Sequence, residues 1–474
     1  MLHGVYPERS RRAQHERQMT LEKSWLSNSS SCYKPGESAK LGPPSATLMS
    51  IASSPDPYLR SNFHHLYADV FWYGILAGST LAFIAVYAAH IGANSFQIGL
   101  LTGGGAIVNL LGSLPAGRWL ENRLPSRAVF QTATWRVGYA LIVPLTWFLP
   151  ATLQTPALIA LIIALAIPST PLNIAFNSTF AHIVPPEWRA HVVGRRNALL
   201  AISVGLSSLL CGQVLDRIRF PYNYEIVFGI GSLGAVMSAY HLRCLRMVAE
   251  ATPLSPEHTL RVADSRWTRP GAKLRHVGSL RFHSFFSGSL LRLDLLQSPF
   301  GFFLTAFFLF YTFQYVPIPL FPLVWVQHLH LSDGEISLGY TLTYATMLIS
   351  SLGLRWMSAR YGHRRVLIVG ALLFSLQPLL NGLARDVTLF WIASLITGLV
   401  LAPVNGGLVN RLMERVPEND RPAHMTLHNV ALNLGMLSGS LLGPALGNWL
   451  GLQEALLLSA GLRVLSGILL GLWG

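Results

Sequence analysis

About twelve stretches of some 20 mainly apolar residues follow one another along this 474-residue chain. That feature constrains the fold more than any other, because about 20 apolar residues are what a helix needs to cross the hydrocarbon of a bilayer. The runs lie near 69–90, 96–117, 129–149, 156–180, 197–215 and 224–245, then near 299–326, 335–356, 365–384, 387–411, 427–449 and 453–473. They are long and continuously apolar rather than alternating, so helices are expected and not a barrel. Only 12% of residues are charged, against about 25% in soluble domains. A disordered chain, a disulfide scaffold and an ordinary soluble enzyme are thereby excluded. The formal charge of +14 does not point to nucleic acid, since such binders are dense in charge of both signs. The expected surrounding is a lipid bilayer.

The positive charge has an address. Lys and Arg crowd the loops on the cytoplasmic side of membrane helices, and 30 of the 35 here fall on one side. They occupy the segment up to residue 65, every second loop, and a stretch near 243–297 that holds nine. The opposite side keeps Arg217, Arg219 and Arg385, while Arg136 and Arg463 lie inside apolar runs. Both termini are therefore expected in the cytoplasm, with the chain in the plasma membrane.

Residues 1–65 are polar and Ser- and Pro-containing, and read as a flexible basic tail; Met49 is an alternative start to Met1, because the apolar pattern begins only after it. The expected units are that tail, a six-helix half at 66–245, a basic linker at 246–297 and a second six-helix half at 298–474. A residual repeat supports the two halves. Pro171, Asn173, Val184, Pro185, Arg189, Asn197 and Leu200 recur as Pro403, Asn405, Val416, Pro417, Arg421, Asn429 and Leu432, each shifted by 232. A second echo sets Arg118-Trp119, Arg123 and Arg127 against Arg355-Trp356, Arg360 and Arg364. Two parallel six-helix repeats joined by a linker are a transporter layout.

These echoes carry a resemblance to the major facilitator superfamily. Gly353-Leu-Arg-Trp-Met-Ser-Ala-Arg360-Tyr-Gly362-His-Arg364-Arg365 resembles the loop signature of that family after helix 8. Gly117-Arg-Trp-Leu-Glu-Asn-Arg123-Leu-Pro-Ser-Arg127 is its first-half partner, after helix 2. Both copies depart from the pattern: Asn122 and Ala359 stand at the usual Asp position, with Glu121 adjacent to the former, and Pro125 replaces the glycine. The resemblance covers about 66–474. It implies alternating access, in which two six-helix halves rock about a central cavity. Arg118, Glu121, Arg123, Arg355, Arg360, Gly362 and Arg364 are the candidate gating motif. Arginine forks bind helix C-termini and carboxylates, so Arg123 and Arg360 are candidates to latch one half to the other.

Chemistry at membrane depth is sparse. Cys32, Cys211 and Cys244 have no metal-ligand spacing, and no phosphate-binding Gly-Lys-Ser/Thr loop occurs; neither metal nor cofactor is expected. No acidic residue falls at the centre of an apolar run, so a membrane-embedded enzyme lacks its groups and proton coupling has no positive support. Asp69 is the best candidate for coupling; otherwise it pairs with a cation. Arg136 is expected to pair with Asp69 or Glu121, whereas Arg463 has no evident partner, a substrate-anion role being one reading of it.

Asn173 and Asn405, Tyr311, Gln314 and Tyr315 ahead of Pro317, Pro319 and Pro322, and Tyr340 and Tyr344 are candidates for a substrate cavity. Interhelical hydrogen bonding is the equal alternative. Gly435, Gly439, Gly443, Gly447 and Gly451 form a stripe with Pro444 that reads as close helix packing. The leading expectation is a monomeric secondary transporter of a small organic solute, with export of neutral or amphipathic compounds as one direction. A transporter-like assembly or lipid-handling protein is the alternative.

Overall fold

The computed structural model describes residues 57–121, 125–246, 292–417 and 420–474. Most of the expected tail and nearly all of the linker lie outside them. The described residues of the main compact unit, Pro55–Gly474, form twelve membrane helices.

In the first half, α1 runs Pro57–Leu76, passes through a π-helical turn at Ala77–Leu81 and continues as Ala82–His90. Then come α2 (Ser95–Glu121) and α3, the latter built from Pro125–Ala133, a 3₁₀ stretch Thr134–Leu141 and Ile142–Phe148. The half closes with α4 (Ala151–Ile183), α5 (Pro186–Arg217) and α6 (Tyr222–Arg243).

In the second half α7 is broken: Pro299–Tyr315, Leu320–Leu323 and a π turn Val324–His328. It is followed by α8 (Asp333–Tyr361), α9 (His363–Phe374 and Leu376–Leu383), α10 (Val387–Arg415), α11 (Arg421–Leu450) and α12 (Leu452–Trp473). The first helix of each half thus carries a π turn, a feature that often marks functional positions.

Ten helices among the described residues are long and apolar enough to cross a membrane by length and composition. The other two have physical reasons for falling short. The middle of α3 is a 3₁₀ stretch holding Arg136, and α8 is rich in Ser, Thr and Gly. Several helices start earlier than their apolar runs do. α5 begins at Pro186 and not near 197, so Arg196 is helical and not a loop cation. α1 begins at Pro57, ahead of the run near 69, because its first turns carry Arg60, His64 and His65 and are invisible to an apolar count.

Three apolar cores organise these helices. One belongs to the first half at the end where the linker joins, with Phe63, Leu66, Ala128, Leu172, Val192 and Leu242. Another belongs to the second half at that same end, with Phe303, Phe307, Leu367, Val404 and Leu427. The third lies at the opposite end, here called the hairpin end, and is shared: Phe83, Tyr87, Tyr224 and Phe228 of one half pack in one cluster with Phe321, Trp325, Ile336 and Leu456 of the other. Close van der Waals packing of such side chains is what joins helix surfaces inside a bilayer. The halves therefore share a core at the hairpin end and keep separate cores at the linker end.

Candidate functional site

The inter-half seam is built from α5 on α8 and α2 on α11, and small residues let the backbones approach. A Cβ on Gly212 would strike the Ser337 hydroxyl and come 3.2 Å from Cα of Gly334, and one on Gly103 would strike Ser440. Over this close approach lie hydrogen bonds from hydroxyls of α8 to carbonyls of α5. Ser337 Oγ donates to the Ser208 carbonyl at 2.6 Å, and Thr341 Oγ1 to the Gly205 carbonyl at 3.1 Å.

At the hairpin rim Asp333 accepts from Tyr224 Oη at 2.6 Å and lies 3.1 Å from His90 Nε2. Asp216 accepts from the Gly334 N–H at 2.8 Å, a carboxylate placed at the N-terminus of α8 where the helix dipole favours it. Gly205 and Gly212 of α5 are thus places where the halves touch. Gly212→Leu is expected to prise this end open and to raise thiol-reagent labelling of a cysteine placed at Ser208; unchanged labelling would contradict that role.

Within the first half, Asp69 of α1 is 3% exposed and is the acceptor of a four-helix cluster. Arg136 of α3 donates at 3.2 Å, Arg196 of α5 at 3.4 Å and Ser238 Oγ of α6 at 2.7 Å, while Arg136 also bonds Ser238. Arg136 rests over the Tyr73 ring and Arg196 over Phe176 of α4. A buried carboxylate needs such partners, since an unpaired one costs several kcal/mol or more. By sign alone Arg136 pairs with Asp69 or Glu121, whereas Arg196 stands just ahead of the apolar run that begins near 197 and so reads as a loop cation. The signal that could have found it is the helical N-terminal extension of α5.

Within the second half, Arg463 of α12 is 2% exposed, and among the described residues no carboxylate bonds it. It donates instead to the Gln314 carbonyl at 2.8 Å, the Phe374 carbonyl at 2.9 Å and Gln377 Oε1 at 3.0 Å, with its guanidinium 4.4 Å from the Phe374 ring centroid. The prolines explain this set. The helical partner of the Phe374 carbonyl would be the N–H of residue 378, which is Pro378. That of Gln314 would be Ile318, whose N–H bonds Tyr315 across the break in α7. Carbonyls freed by helix breaks must find donors inside a membrane, and Arg463 supplies them to α7 and α9 together. This is a tie between helices rather than a free anion site.

The glycine stripe of α11 receives α7. A Cβ at Gly435 would lie 2.8 Å from Tyr311 Cβ, at Gly439 it would strike the Thr312 carbonyl and at Gly443 the Val316 carbonyl, while Gly447 meets Leu320 at 2.9 Å. Gly451 is different: it has φ 98° and makes the turn into α12. Gly443→Leu is expected to push α7 off α11 and abolish folded protein, read as loss of the monodisperse peak in gel filtration. A folded, equally stable variant would show that the approach is dispensable.

The candidate cavity residues scatter across these structures. Tyr311 is buried and its hydroxyl meets His428 Nε2 of α11 at 3.1 Å, a histidine that sequence reading passed over. Tyr315 stands opposite Gly439, and Gln314 gives its carbonyl to Arg463. Tyr340 packs edge-on to Phe83 and Trp325 in the shared core. Tyr344 sits at the inner limit of the seam, its Cβ 3.9 Å from where a Gly205 side chain would begin. Asn173 and Asn405 are exposed, each ten residues before the linker-end terminus of its helix.

Of the gating motif, Arg123 and the side chains of Arg118 and Glu121 lie outside the described residues. Arg360 is exposed at the end of α8, and Gly362, φ 77°, makes the turn that a left-handed backbone requires. Arg355 lines a linker-end cavity of about 520 Å³ with Ser351, Ser358, His363 and Asn410. Arg364 bonds the Gly471 carbonyl at 2.5 Å, and Arg411 and Arg415 bond that of Gly474. Arginines do hold a helix C-terminus here, within one half.

Known proteins place this architecture. The chain is similar in fold to the nucleoside transporter NupG (TM-score 0.63, 11% identity, 87% of this chain and 98% of that one). It is also similar to the xylose transporter XylE from E. coli (TM-score 0.60, 13% identity, 87% and 97%). A third likeness is to a bacterial homologue of the iron transporter ferroportin (TM-score 0.60, 14% identity, 88% and 99%). A curated relative, Multidrug resistance protein 1 of Bacillus subtilis (strain 168), is 24% identical over 136 residues, 28% of this chain and 33% of that protein. The chain thus spans about a third of that relative's length. The profile of the Major Facilitator Superfamily matches residues 70–318 and 303–474, so the chain belongs to that family of membrane transporters.

Proposed function

We propose that this chain is a secondary transporter that moves a small organic solute by alternating access, in a conformation open at the linker end. The observation that carries this reading is the distribution of cores: one shared across the halves at the hairpin end, two separate at the linker end. Such a seam can be undone at one end and remade at the other, with each half held rigid by its own tie, Asp69 in the first and Arg463 in the second. The Lys and Arg asymmetry supports a cytoplasmic linker end, so this state faces inward, in the plasma membrane.

Tyr344 at the inner limit of the seam and the exposed, uncharged Asn173 and Asn405 on α4 and α10 suit a neutral or amphipathic solute. The multidrug resistance relative supports export as the direction. Arg360, exposed here, closes on the other half when the linker ends meet; Arg123 is its first-half counterpart. Asp69 remains the candidate for charge coupling, held with Arg136.

Purified protein in liposomes tests the reading: labelled amphipathic compounds are expected to cross saturably, and absence of flux across a broad panel would contradict it. Arg360→Ala is expected to lower transport about tenfold, by analogy with the loss of a charge-assisted contact of ~1.4 kcal/mol, without loss of binding. Unchanged transport would remove the latch.

A further inference from the structure

A second cluster lies on the outer face of the first half, apart from the seam. At the linker end of α1 and α6, His65 Nδ1 and His241 Nδ1 are 3.0 Å apart, and His64 packs edge-on to both rings. Beside them a cavity of about 460 Å³ is lined by His65, Tyr240, Arg243, Cys244 and Arg246. Arg60 stands one turn before His64 on the same helix face. Arg243 lies 5.0 Å from the Phe130 ring centroid of α3, and the Arg246 backbone is fixed by reciprocal hydrogen bonds with Asn62. Among the described residues neither arginine has a carboxylate partner. Among the described residues, Asp69, the acid of this region, is committed to Arg136, Arg196 and Ser238.

The cavity does not stand alone. Below it α6 exposes Ile226, Leu233, Val236 and Tyr240, spaced as one helix face, and its neighbour α1 exposes Phe71. Large apolar side chains exposed along a membrane helix face acyl chains. A cationic cavity at the head of that stripe, at the membrane interface, matches a molecule with an anionic head and apolar tails. We propose that this is a binding site for an anionic phospholipid, its phosphate held by Arg243 and Arg246 with His65 lining the cavity, and its chains along α1 and α6. Arginine forks suit phosphate oxygens, and basic pockets beside membrane helices are recognised lipid sites.

Native mass spectrometry of the full, delipidated chain, given equimolar phosphatidylglycerol and phosphatidylcholine, tests this. The expected result is about thirtyfold preferential retention of phosphatidylglycerol, the size of effect that two interfacial cations provide. That preference is lost in R243Q/R246Q, kept in R243K/R246K and kept in R217Q/R219Q at the opposite end. Equal retention of both lipids by the native chain would overturn the proposal, as would an unchanged preference in R243Q/R246Q. Displacement of phosphatidylglycerol by inorganic phosphate alone would overturn it too, assigning the cavity to a free anion. The lipid competition and the phosphate arm need no variant, so they decide even if R243Q/R246Q does not fold.

Discussion

Replacing Arg463 by leucine is expected to destabilise the protein by about 2–4 kcal/mol, on the order of one to three per buried carbonyl left without a donor. Two effects compete. Leucine relieves the cost of burying a guanidinium in the membrane, yet it strands the Gln314 and Phe374 carbonyls, which the breaks at Pro317, Pro319 and Pro378 have already deprived of helical partners. The stranded carbonyls win, because no water reaches a site 2% exposed. A specific rescue follows. Pro378→Ala restores an N–H four residues after Phe374, so it should recover part of the loss in Arg463→Leu while doing little for the native chain. Thermal unfolding in detergent measures both, and equal effects of Pro378→Ala in the two backgrounds would refute the role given to Arg463.

The second large effect is expected at Asp69. Asp69→Asn removes the negative charge that two arginines share and leaves their charges facing each other, a change that costs about 3–5 kcal/mol when a buried pair is broken by losing one partner. The arginines then repel, so Asp69→Asn with Arg196→Gln should be more stable than the two single losses added together. Strict additivity in that cycle would show that Asp69 and Arg196, 3.4 Å apart, do not act as a unit. Asp69→Glu is the milder control, since it keeps the charge and shifts it by one methylene.

How much of this was legible beforehand divides along physical lines. The helices, the two-half layout and the family were readable, because apolar length and basic loops are linear properties of a chain. Arg136 with Asp69 could be guessed from sign alone. Arg196 could not, because an amphipathic helical extension looks like a polar loop when only apolarity is counted. Arg463 was conspicuous but uninterpretable: its partners are backbone carbonyls, and a sequence shows which carbonyls are orphaned only once the prolines are placed in helices that break. The tyrosines Tyr311 and Tyr340 were grouped by type, whereas the fold puts one in the second-half core and the other on the shared one. The meaning of Gly205 and Gly212 is not in the linear sequence: it lies in what Tyr344 and Thr341 bring against the first, and Ser337 and Gly334 against the second.

Under the proposed alternating access, the halves share one end and exchange it for the other. Spin-label distances across the same helix pair at both ends test it directly, with labels at Arg219 and His330 for the hairpin end and at His191 and Tyr361 for the linker end, all exposed. In the native chain the hairpin-end distance should be short and narrowly distributed and the linker-end distance longer. In Gly212→Leu the first should lengthen as the second shortens. Distances that move together, or that stay fixed at both ends in every condition, would contradict a seam that closes at one end only by opening at the other.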